Sequence, residues 1–148
     1  MKITIVTFLL FTASSFAQNI DENNIYYRAL KEYARYVDRF EPEVDTVYFE
    51  EVKSITTFFP KEVDGLKVII ITALNQAEIY KANGGELIHR KMTPAQVTGG
   101  KIDIGLIPYQ GRYEPQSGLR LGFSKWHSII FNFNPVSGKF EYESIQNN

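Results

Sequence analysis

Residues 22–40 read ENNIYYRALKEYARYVDRF, and the fold reading turns on this stretch because its apolar and charged side chains separate at helical spacing. At about 100° per residue, Tyr26, Leu30, Tyr33, Val37 and Phe40 share one face, flanked by Ala29, Ala34 and Tyr36. Arg28, Lys31, Glu32, Arg35, Asp38 and Arg39 fall on the opposite face, where their charges are expected to be solvated. The pattern predicts a helix from Glu22 to Phe40, capped by Asp21 or Asn23 and ended by Glu41 and Pro42. Its tyrosines are expected in a core, with their hydroxyls reaching the rim.

Upstream, the chain has a different character. Lys2 precedes the apolar run 3–11, and small residues follow through Ser15 and Ala17, the order of a cleavable export signal. The run is about half the ~20 residues a membrane anchor needs. Cleavage is therefore expected after Ala17, leaving one domain over 18–148 in an extracytoplasmic location, periplasmic if the source is a Gram-negative bacterium and otherwise secreted.

Downstream, β signals dominate. Thr46–Val52 is a candidate strand, and Ser54–Phe59 is either a strand or a short helical turn stopped by Pro60. Leu66–Ala73 carries the unbroken run Val68–Ile71, which suggests a strand covered on both faces and places it at the sheet centre. Asn75 and Glu78 have capping-box spacing, so 76–82 is read as a second short helix in preference to a hairpin turning at Asn83 and Gly84. Strands are expected at Glu86–Met92 and Lys101–Pro108, then at Trp126–Phe133 and Lys139–Ser144 around the turn 134–138. The resulting expectation is an α+β domain, with a long N-terminal amphipathic helix packed on a largely antiparallel β-sheet. At the level of layout alone this resembles cystatin-like and other helix-on-sheet folds.

The 148 residues include no cysteine, so stability has to come from packing and hydrogen bonds. Removing residues 1–17 takes Lys2 away and leaves 15 Lys and Arg against 17 Asp and Glu, a net charge of −2. That balance supplies no global attraction to nucleic acid or to an anionic membrane. Nine Tyr, eleven Phe and one Trp argue against disorder. No mature segment approaches the length of a membrane span.

Little in the chain points to catalysis. His89 and His127 are the only histidines, too few for a convincing metal site, and no cofactor is implied. Gly99, Gly100 and Lys101 lack the remaining pattern of a phosphate loop and read as a turn. No nucleophile elbow is present. The weak catalytic candidate is His127, which shares strand parity with Ile129 and Phe131, with Asp103 or Glu114 as an assisting carboxylate.

Segment 109–126 is the stronger prospect. It interleaves Tyr109, Tyr113 and Trp126 with Arg112 and Arg120 among glycines and a proline, and reads as a long connection of the kind that carries binding groups. The alternative is a plain strand connection in which Leu119 and Leu121 form a further short strand. The expected function is an exported, non-catalytic binding module for a protein or glycan partner outside the cytoplasm. A hydrolase acting on envelope material and an inhibitor or immunity-type protein are the alternatives.

Overall fold

The computed structural model describes residues 20–123 and 125–148. The expected export signal, residues 1–17, lies outside them. The order of elements is α1 (Ile25–Phe40), β1 (Thr46–Glu50), α2 (Lys53–Thr56), β2 (Glu62–Val63), β3 (Leu66–Ile71), α3 (Gln76–Ala82), β4 (Glu86–Met92), β5 (Gln96–Thr98), β6 (Lys101–Glu114), β7 (Gly118–Phe123), β8 (His127–Asn134) and β9 (Lys139–Asn147).

The α+β expectation of a long helix on a largely antiparallel sheet is corrected by this architecture. Of the described residues, 47% are strand and 21% helix, and the strands form one nine-stranded mixed sheet. Strand β1 pairs in parallel with both β3 and β4, while the remaining pairings are antiparallel. The longest helix, α1, has sixteen residues and starts at Ile25. Its cap is Asn24, whose Oδ1 accepts the Tyr26 and Tyr27 amides at 2.9 and 3.2 Å; Asp21 instead closes a turn by accepting the Asn23 amide. Phe40, expected on the buried face, is 59% exposed and leans on Tyr36 and Arg39.

The sheet order is β2-β3-β1-β4-β6-β8-β9, with β5 and β7 attached to β6. The centre is therefore β6, paired along both edges, and β3 lies near one margin. The run Val68–Ile71 reflects cover on both faces, which a strand away from the centre can also have. Segment 109–126 is not a loop: β6 continues to Glu114, and β7 returns beside it after a turn at 115–117.

Burial along β6 switches sides. Ile102, Ile104 and Leu106 point into a core with Leu30, Tyr33, Ala34 and Val37 of α1, together with Val47, Phe49, Ile129 and Phe131. Beyond Leu106 the buried position is Gly111, of opposite parity, which lies beneath Tyr80 of α3. Successive strand residues face opposite sides. Thus α1 covers one face over the first half of β6, and α3 covers the other face over the second half. Among the described residues, two half-faces are left without a helix above them.

Helix α3 occupies the predicted span, though the side chain of Asn75 does not cap it. Asn75 Oδ1 accepts the Thr72 amide at 2.7 Å and its Nδ2 donates to the Ile70 carbonyl, so it ties α3 to the end of β3. Tyr80 holds the helix on the sheet. It is fully buried, and its hydroxyl lies 2.7 Å from His89 Nδ1. Among the described residues no helix is long and apolar enough to cross a membrane.

Candidate functional site

The open half-face opposite α1 carries a groove of about 260 Å³ lined by Thr93, Gln96, Asp103, Gly105, Ile107, Trp126 and Ser128. Its position follows from strand register. Between the pairs Met92↔Leu106 and Gln96↔Asp103, the β4–β5 side advances four residues while β6 advances three. The same mismatch occurs on the other side, between Phe123↔Tyr109 and His127↔Leu106. Each edge of β6 therefore faces one extra residue, opposite 103–106 on one side and opposite 106–109 on the other, a pair of offset bulges that bends the strands and re-aims side chains. Pro108, which has no N–H to donate, sits at this interruption.

The groove floor is Gly105. Its amide donates to Thr93 Oγ1 at 2.9 Å, and its carbonyl accepts the Thr93 amide at 2.8 Å, so the bulged segment is tied to β6 in both directions. A Cβ at position 105 would lie 2.8 Å from Thr93 Oγ1. Glycine is what leaves room for the Thr93 side chain above it. Ser128, opposite Gly105 in register, accepts a 3.0 Å hydrogen bond from Asn148 Nδ2. Trp126, 44% exposed, forms one wall, and its carbonyl accepts the Asn148 amide at 2.9 Å. The site thus combines an indole surface, one carboxylate, hydroxyls and an amide.

The sequence-predicted binding residues are divided by strand alternation. Trp126 lines the groove. Tyr109 lies on the same face farther along β6, 6.3 Å from the exposed ring of Phe123 opposite it. Tyr113, also on that face, borders a separate recess near the end of α3 with Ala77, Gly84, Gly85 and Pro115. Arg112 and Arg120 oppose each other on the reverse face. Arg112 is held by Glu86, which pushes its guanidinium pKa up, and Arg120 lies 3.8 Å from Glu114. The Ser117 hydroxyl, then Arg120, holds the Glu114 carboxyl below its ordinary range. The arginines and the groove therefore cannot contact one small ligand together.

The weak catalytic set is also dispersed. His127 faces α1, with its ring 5.3 Å from Tyr36 and 6.4 Å from Tyr33, and its Nδ1 is buried without a hydrogen-bond partner. Asp103 lies on the opposite face, and Glu114 ends the far half of β6. Among the described residues no group of three or more His, Asp or Glu side chains could hold a metal ion.

Two buried polar pairs serve the scaffold. Burial pushes the Tyr80 hydroxyl up to about 12 and pulls His89 below the ordinary imidazole value, the latter partly offset by Glu50. Arg90, 7% exposed, donates from Nε to Tyr33 Oη at 2.5 Å and lies over the Tyr33 ring. Burial raises the Tyr33 hydroxyl, and Arg90 opposes that rise.

Sequence reasoning selected Trp126 and missed Thr93, Gln96, Gly105 and Ser128 as its neighbours. The available signal was Gly105 itself, since a glycine within an alternating strand marks a bulge or a close approach. No protein-family model, curated protein or solved structure matches this chain, so the functional reading rests on its own residues.

Proposed function

We propose that this chain is an exported, non-catalytic binding module that takes its ligand in the Trp126 groove. The observation that carries the reading is the pair of offset bulges, which opens a groove with an exposed indole and a few polar groups on a half-face that no helix among the described residues covers. Bulges recur beside functional sites for this reason. An apolar surface with a few convergent polar groups on a rigid sheet also suits recognition better than bond-breaking, which needs a convergent acid, base or nucleophile. Residues 1–17 carry the export half of the proposal.

Two measurements test it. Envelope material, fractionated into glycan and protein, is retained on the immobilised exported protein and on two variants. Trp126→Ala is expected to lower retention about tenfold, as loss of a stacked aromatic contact implies. Arg112→Ala, on the reverse face, is expected to retain as much as wild type. The opposite ranking removes the groove assignment. For export, protein recovered from cells should begin at Gln18; a cytosolic product beginning at Met1 removes that half.

A further inference from the structure

Building on the groove reading, we infer that its ligand is a glycan bearing an unacetylated amino sugar, whose ammonium group pairs with the Asp103 carboxylate while the Trp126 ring packs on the sugar. Asp103 is the one charged side chain among those lining the groove, and no described cation lies within ion-pair distance of it. Lys101, two residues away on the same face of β6, is engaged with Glu143 at 3.2 Å. Lys125, beside Trp126 in the chain, is exposed and is not among the lining residues. The groove therefore offers one uncompensated negative charge, which attracts a cation, and an exposed indole surface along the same groove. The same charge disfavours an anionic ligand.

The neutral lining argues for a sugar as the carrier of that cation. Thr93 and Ser128, whose oxygens accept from the Gly105 amide and from Asn148 Nδ2, each keep a hydroxyl hydrogen to donate, and Gln96 adds an amide, groups that suit sugar hydroxyls, which both donate and accept. Gly105 makes room for the Thr93 side chain that lies over it, and the exposed Trp126 can cover the apolar C–H face of a pyranose. A lysine side chain, being a flexible stem, would use the carboxylate but little of this surface.

Trp126 is the only tryptophan in the sequence, so intrinsic emission reports on the groove directly. The full exported protein is titrated with a β-1,4-linked glucosamine tetramer, its fully N-acetylated counterpart and a lysine tetrapeptide. The glucosamine tetramer is expected to perturb Trp126 emission with at least about tenfold higher affinity than the other two. That advantage should be lost in Asp103→Asn and shrink with added salt. Equal binding of the acetylated tetramer, or unchanged affinity in Asp103→Asn, overturns the ammonium assignment while leaving a glycan groove in place. Tighter binding of the lysine peptide overturns the sugar assignment. No response of Trp126 to any of the three overturns this inference, whereas the groove reading itself falls only if Trp126→Ala also retains envelope material normally.

Discussion

Replacing Gly111 with alanine should destabilise the protein, although the same change in most strands is favourable by about 0.5–1 kcal/mol. The backbone at Gly111 is not in the left-handed region, so the penalty is one of space. The new methyl group would overlap the Tyr80 hydroxyl and lie 2.7 Å from Cζ and 2.9 Å from Cε1. Tyr80 is fully buried, so its ring can yield only by lifting α3 and breaking the 2.7 Å contact with His89. Overpacking costs about 2 kcal/mol, and stranding the buried His89 Nδ1 about 2 more. Net of the alanine gain, the expected loss is about 3 kcal/mol, or a fall of about 1.5 M in the urea midpoint at an m-value near 2 kcal/mol/M. Tyr80→Phe alone should cost about 2 kcal/mol through the same stranded imidazole. The double variant should lose clearly less than the summed single losses, because one hydroxyl is responsible for part of each. An additive cycle, or a Gly111→Ala protein as stable as wild type, would refute the account of how α3 is held.

Three further outcomes follow from the same geometry. His89 has a depressed folded-state pKa, caused first by burial, so acid favours the unfolded chain: stability should be flat above the ordinary histidine value, fall as pH drops below about 6.5 and level off beneath the folded value. Urea midpoints across that window should show the fall, and His89→Asn should lose most of it. Gly105→Ala should crowd Thr93 Oγ1 and raise the groove floor, weakening ligand retention about tenfold for a stability cost of about 1 kcal/mol, read by capture and urea unfolding in parallel. Tyr33→Phe removes the 2.5 Å acceptor of the buried Arg90 Nε and should cost about 2–3 kcal/mol in urea unfolding.

The helical stretch was legible because one face of a 3.6-residue period is a local property. Leu30, Tyr33 and Val37 are buried as their spacing implies, and Tyr27 joins them. Its boundary was less legible: Asp21, Asn23 and Asn24 all carry a capping side chain, and the helix starts where Asn24 reaches two amides at once. Segment 109–126 read as a connection because its glycines and Pro115 suggest turns. Gly111 is instead a strand residue cleared for Tyr80, thirty-one positions earlier, and no local pattern announces that partner.

What the amino-acid order determined by itself was the short-range content: an amphipathic helix, the apolar strands, the turn glycines at 99 and 100 and the hairpin around Pro135, each set by backbone preference and side-chain period. Tertiary structure alone decided that β1 would lie between β3 and β4 in parallel, that the covered face would switch along β6, and that Trp126 and Asp103 would line one groove while Arg112 and Arg120 turned away. The physical reason is that strand pairing and register are settled by contacts between residues far apart in the chain. A shift of one residue in register moves every side chain to the opposite face.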